Sequence, residues 1–143
     1  MTVGDRAFTG SGVEYIVDVY GCDPDLLRSC ECLNTIVKRF IREVGVRPIR
    51  GPLWQMFPAP GGITGMWLLA ESHLAVHTYP ETRFAAISLY CCGSLRPCAW
   101  ESQLRAWFEA DHVDVRTVDR GTRHPSERYA IDSRPSGHAD TDY

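Results

Sequence analysis

From Gly12 to Tyr20 apolar and polar positions alternate, with Val13, Tyr15, Val17 and Val19 on one parity. A period of two predicts a strand with one buried face. The pattern stops at Gly21-Cys22-Asp23-Pro24. Asp23 suits a helix N-cap, and Pro24 suits the first helical position, where a missing N–H costs nothing. Leu26, Leu27, Cys30, Leu33, Val37, Phe40, Ile41 and Val44 then recur at helical spacing. They predict one amphipathic helix of about five turns, stopped by Gly45.

Beyond Gly45 the period shortens. Residues 46–57 read as an irregular strand interrupted by Pro48 and Pro52, followed by a Pro58-Ala59-Pro60-Gly61-Gly62 loop. Residues 63–70 and 74–79 read as two strands separated by Glu71-Ser72-His73, and residues 84–91 as another, closed by Gly93. A second amphipathic helix is expected over residues 97–110, with Trp100, Leu104 and Trp107 or Phe108 facing inward, and a last strand over 113–118. After Gly121 the chain turns to Arg, His, Ser, Pro, Gly and Asp, the composition of a mobile tail. This order predicts an α+β fold, a two-layer α/β sandwich with a mainly antiparallel sheet and two helices on one face. Residues 1–121 are expected to form one domain and residues 122–143 a flexible tail.

The chain's 143 residues have room for a single core of ordinary size. The net charge is −3, with fifteen Lys and Arg scattered among eighteen acids, which argues against nucleic acid or an anionic membrane as the main partner. No basic stretch followed by an apolar one opens the sequence, and the longest apolar run, residues 66–70, is too short to cross a bilayer. A cytoplasmic location is the expectation. None of the six cysteines forms a C-x-x-C pair, so neither a zinc ribbon nor a thioredoxin-like site is indicated. Most of the thiols read as small core hydrophobes.

The stretch around Ser72 changes this plain picture. Histidines stand one and five positions after it. If residues 73–78 are extended, His73 and His77 share a face while Ser72 lies at a strand-end turn. A serine hydroxyl near a histidine is a candidate activated nucleophile, and a thiol on the next strand a candidate acid or base. The same histidines could equally form ordinary hydrogen bonds. Zinc on His73 and His77 is disfavoured, because the Glu that follows the first His of the metalloprotease helix is missing and the pair falls on a strand. No metal is expected. A G-x-S-x-G hydrolase is excluded by the Glu71 and His73 that flank the serine.

The run Ala70-Glu71-Ser72-His73-Leu74-Ala75-Val76-His77-Thr78-Tyr79-Pro80-Glu81 resembles the processing motif E-S-H-L-x-I-H-T-W-P-E of the prokaryotic S-adenosylmethionine decarboxylase proenzymes. The resemblance extends to Tyr20-Gly21-Cys22-Asp23-Pro24, to Phe57 through Gly65, and to Ala85-Ala86 leading into Cys92-Gly93, covering about residues 12–121. It implies self-cleavage between Glu71 and Ser72, giving a β chain of residues 1–71 and an α chain of residues 72–143. It also implies conversion of Ser72 to a covalent pyruvoyl group that forms a Schiff base with the substrate amine. His77 matches the histidine that assists processing, and Cys92 the cysteine that reprotonates the substrate carbon. Thr64 stands where the family has Ser or Thr near the processing site. Glu81 matches a glutamate for the ribose hydroxyls and Phe57 a phenylalanine that stacks on adenine, although Phe57 and Thr64 also read as ordinary structural residues. A homodimer of processed protomers in a four-layer α/β/β/α arrangement, with sites near the interface, is implied as well.

Four departures bear on the substrate. Glu14 stands in place of the histidine of the family's G-R-H-L, and Ser88 in place of the acid of A-A-x-D. Tyr79 replaces Trp, and the proline-rich loop before Gly62 is longer. The leading expectation is decarboxylation of S-adenosylmethionine to the aminopropyl donor of spermidine-type polyamines. The same chemistry on arginine, ornithine or a specialised amino acid is the alternative. A non-catalytic binding or regulatory homologue is the reading of another class.

Overall fold

The computed structural model describes residues 11–92 and 95–121. Gly93 and the expected tail lie outside them. Strand β1 (Gly12–Tyr20) runs into a short helix α1 (Pro24–Leu27), then α2 (Cys30–Val44), β2 (Pro48–Met56), β3 (Ile63–Leu69) and β4 (Ser72–Tyr79). A 3₁₀ turn (Pro80–Thr82) leads to β5 (Phe84–Cys91), α3 (Trp100–Trp107) and β6 (His112–Arg120).

The single long helix expected after Asp23 is two helices. Asp23 does cap the first, its carboxylate accepting the Asp25 N–H at 2.9 Å. At Ser29, however, the backbone is extended and the hydroxyl accepts the Cys32 N–H at 3.2 Å, so a second N-cap restarts the helix. A local side-chain acceptor here outcompetes continuation of the ladder. Gly45 ends α2 with φ of 78°, a left-handed conformation that costs little without a Cβ. The later helix is shorter than its apolar pattern, Trp100–Trp107 instead of residues 97–110. Glu109 takes a positive φ of 48°, which helix cannot continue through.

All strand pairs are antiparallel, in the order β2-β3-β4-β5-β1-β6. On one face Val17, Val19, Ile63, Trp67, Leu69, Leu74, Val76, Ile87 and Leu89 are buried together with Leu33, Ile36, Val37, Phe40, Ile41 and Val44 of α2. From α3, Leu104 is fully buried, and Trp100 stacks on Tyr15 with ring centroids 4.9 Å apart. Burying each such large side chain stabilises the fold by about 1.5–3 kcal/mol. This is the expected two-layer α+β sandwich.

The thiols fit the core reading less well than expected. Cys22 and Cys91 are buried, Cys30, Cys92 and Cys98 are partly buried, and Cys32 is exposed. Among the described residues no helix is long and apolar enough to cross a membrane.

Among the described residues no helix lies over the opposite face of the sheet. Its positions have the other parity, and several are large and apolar: Leu53, Met66, Leu68, Tyr79, Tyr20 and Val118 are all exposed. Leu53 stands opposite Met66 in the β2–β3 register. Across the same face Tyr79, Phe84 and Tyr20 stack ring on ring, with centroid separations of 5.6 and 5.2 Å.

Candidate active site

Strands β3 and β4 are joined by Ala70 and Glu71 alone, with Leu69 opposite Ser72. So short a loop leaves Ser72 as the first residue of β4, half-buried at the end of the sheet. On the other side Ser72 stands opposite Cys91 of β5. The next residue, Cys92, donates its backbone N–H to the carbonyl oxygen of Glu71 at 3.2 Å. Glu71, Ser72 and Cys92 therefore meet at one end of the sheet. The Glu71 carbonyl is polarised by an N–H of fixed position, the arrangement that favours nucleophilic attack at a carbonyl carbon.

The remaining candidates gather at the other end. Thr64 and His77 are cross-strand neighbours on the open face, with Thr64 Oγ1 hydrogen-bonded to His77 Nδ1 at 3.0 Å. They line a cavity of about 270 Å³ together with Phe57, Tyr79 and Glu81. Pro58 and Pro60 form its rim. The proline-rich loop is closed by the Phe57 N–H donating to the Gly62 carbonyl at 2.9 Å, and tied down by Arg28 Nε donating to the Pro60 carbonyl at 2.8 Å. Phe57, 52% exposed, presents an aromatic face, and the exposed Glu81 on the 3₁₀ turn presents two acceptor oxygens.

Within one chain the two groups do not touch. Five residue steps of extended strand separate Ser72 from His77, about 16 Å at ~3.3 Å per residue. Alternation also puts His77 on the open face with His73, whereas Ser72 shares the parity of the buried Leu74, Val76 and Thr78.

Sequence reasoning passed over Thr78. It is buried, its hydroxyl donating to the Leu27 carbonyl at 2.8 Å and accepting the Ile63 N–H at 2.9 Å. One side chain thus holds α1, β3 and β4 together beneath the cavity. The signal was available, since Thr78 continues the buried parity of Leu74 and Val76 and a hydroxyl there must find partners. Among the described residues no group of three or more His, Cys, Asp or Glu is arranged to hold a metal.

Two of the four departures lie on the open face of β1 and β5, while Tyr79 and the proline-rich loop border the cavity at the His77 end. Glu14 stands opposite Tyr90, and Ser88 opposite Ile16, so the two are diagonal neighbours across β1 and β5. Glu14 is ion-paired with Arg120 at 2.6 Å.

A family model described as S-adenosylmethionine decarboxylase matches residues 13–121. The chain is 31% identical to the S-adenosylmethionine decarboxylase proenzyme of Moorella thermoacetica, over 84% of this chain and 95% of that one. It is 30% identical to the proenzyme of the same name from Thermococcus kodakarensis, over 82% of each. The crystal structure of the adenosylmethionine decarboxylase from Aquifex aeolicus superposes with a TM-score of 0.64 at 24% identity, covering 80% of this chain and 94% of that one. At that identity the superposition speaks for the fold alone.

Proposed function

The chain belongs to the S-adenosylmethionine decarboxylase family, and on that premise we propose that it cuts itself before Ser72 and releases carbon dioxide from S-adenosylmethionine. The observation that carries this reading is the Glu71 carbonyl, held by the Cys92 N–H next to a serine at a hairpin end. Ser72 Oγ attacks that carbonyl carbon, and the peptide C–N bond gives way to an ester as the nitrogen takes up a proton. Loss of the Cα proton expels the Glu71 carboxylate and leaves a dehydroalanine, which water converts to a pyruvoyl group with release of ammonia. A hydroxyl for conversion and a pre-polarised carbonyl are the features such a group requires of its precursor, and both are present here.

Once formed, the pyruvoyl carbonyl supplies an electron sink for the amino acid bound to it, in place of a soluble cofactor. The protein's own residues supply the rest. His77, with Thr64 hydrogen-bonded to its Nδ1, moves the proton that elimination requires. Cys92 returns a proton to the substrate carbon after carbon dioxide has left. Phe57 stacks on the purine, and Glu81 accepts from the ribose hydroxyls. The product then serves as an aminopropyl donor for polyamine synthesis.

The distance between Ser72 and His77 along β4 is closed by a second copy. Two chains that pack their open faces together, about a two-fold axis running across the strands, bring the Ser72 end of one sheet over the His77 end of the other. The exposed Leu53, Met66, Leu68 and Tyr79 support such a sheet-on-sheet contact. Each composite site then has the Ser72 and Cys92 of one protomer and the Phe57, Thr64, His77 and Glu81 of its partner.

Denaturing mass spectrometry of the purified protein, with decarboxylation assays on S-adenosylmethionine, arginine and ornithine, tests the reading. Fragments of residues 1–71 and 72–143, with carbon dioxide released from S-adenosylmethionine, are expected. An uncut, inactive chain refutes the mechanism, and release from a basic amino acid alone refutes the substrate.

A further inference from the structure

The short helix α1 takes no part in the chemistry, yet two sides of the cavity are fastened to its end. Leu27 is its last residue, so its carbonyl is among those a helix end leaves without an intrahelical partner. That carbonyl accepts the Thr78 hydroxyl at 2.8 Å, which fixes β4 behind the cavity. The next residue, Arg28, reaches the opposite side and donates from Nε to the Pro60 carbonyl at 2.8 Å. Its stem lies along Gly61, where an added Cβ would stand 3.6 Å from both Arg28 Cγ and Cδ.

The proline-rich loop depends on this bond for its setting. Its internal bonds, Phe57 N–H to the Gly62 carbonyl and Gly61 N–H to the Pro58 carbonyl, are both 2.9 Å long and close the turn on itself. They do not fix its tilt against the sheet. Among the described residues Arg28 supplies the side-chain hydrogen bond that does. Pro58 and Pro60 line the cavity beside Phe57, so the tilt sets the width of the slot. Arg28 also lies 3.4 Å from Asp25, but the Asp25 side chain is almost fully exposed, and such a surface pair is worth little. The bond to Pro60 has a charged donor and ties the loop to a fixed helix end, so the arginine acts mainly there.

We propose that Arg28 is a positioning residue for substrate binding, holding the proline-rich rim where the slot closes on the nucleoside part of the substrate. The inference rests on the reading of this cavity, with Phe57 and Glu81, as the nucleoside site. The longer loop of this chain thus has its own fastening. Arg28 acts at the His77 end of the sheet through the rim alone, so its loss should weaken binding and leave the bond-breaking steps unchanged.

The test compares wild type with Arg28→Ala and with Arg28→Met, which keeps the stem against Gly61 and removes only the donors. Calorimetry with methylthioadenosine, a nucleoside without the amino acid, gives Kd, alongside KM and kcat on S-adenosylmethionine and self-cleavage by mass spectrometry. In both variants Kd and KM are expected to rise about tenfold, the size of a lost hydrogen bond from a charged donor. Self-cleavage should be complete and kcat should change less than about twofold. Millimolar guanidinium chloride should lower Kd in Arg28→Ala and leave wild type unaffected, which a general loosening of the fold would not produce. Arg28→Met decides the matter if Arg28→Ala does not fold. A wild-type Kd and KM in Arg28→Met overturn the proposal. Failure of the underlying reading is seen separately, as Phe57→Ala and Glu81→Gln that bind methylthioadenosine no worse than wild type.

Discussion

The backbone N–H of Cys92 donates to the carbonyl oxygen of Glu71 at 3.2 Å, so the strand end that carries the thiol also grips the peptide proposed for self-cleavage. The two tasks proposed for this residue use different atoms. The main chain acts on the precursor and the sulfur acts on the substrate.

It follows that Cys92→Ala should still cut itself, because alanine keeps the N–H. Its decarboxylation should fall by about a hundredfold or more, the usual size of a lost general acid. Mass spectrometry and carbon dioxide release on one preparation read the two separately. A Cys92→Ala chain that stays whole would mean that the thiol itself is needed for cleavage.

The gap between Ser72 and His77 gives a second expectation. Ser72→Ala should remain a single chain, and His77→Ala should cut slowly. Co-expressed and purified as a mixed dimer, the pair should recover one working site, built from the Ser72 of one protomer and the histidine of the other. Activity should approach half that of wild type per dimer. A mixed dimer no more active than its parents would show that the site is not shared in this way.

How far the sequence carried these conclusions depends on the range of the interaction concerned. Strand β1 and the cap at Asp23 were readable because a period of two and a carboxylate before a proline act within a few residues. The break at Ser29 was not, because the apolar stripe runs through it from Leu27 to Leu33 without a gap. The seven candidate site residues were named from a motif, and a motif carries no distance. Only strand register shows that Glu71, Ser72 and Cys92 form one group and Phe57, Thr64, His77 and Glu81 another.

Thr78 should be worth more to the fold than its size suggests. Thr78→Val keeps the shape but leaves the Leu27 carbonyl and the Ile63 N–H without the partner each has now. Urea unfolding of the two proteins should differ by about 1–3 kcal/mol. Because the same hydroxyl lies under the cavity wall, KM should rise while self-cleavage is unchanged. A difference below about 0.5 kcal/mol would mean that water replaces the hydroxyl.

Cys22 links the base of this structure to pH. It is fully buried, its thiol donating to the Val19 carbonyl at 3.5 Å. Burial pushes its pKa up from 9.0 to about 11, with Arg83 nearby pulling it back and Asp111 adding to the rise. The folded state therefore holds this proton more tightly than the unfolded chain does. The resulting stability is fully present below about pH 9 and is lost as pH rises toward 11. Urea midpoints at pH 7.5, 9 and 10.5 should fall more steeply for wild type than for Cys22→Ala, which has no proton to lose here. The excess should come to about 1–2 kcal/mol over that window. Equal slopes in the two proteins would show that the thiol ionises without cost, and hence that water reaches the turn between β1 and α1 where Arg83 Nε donates to the Cys22 carbonyl at 2.9 Å.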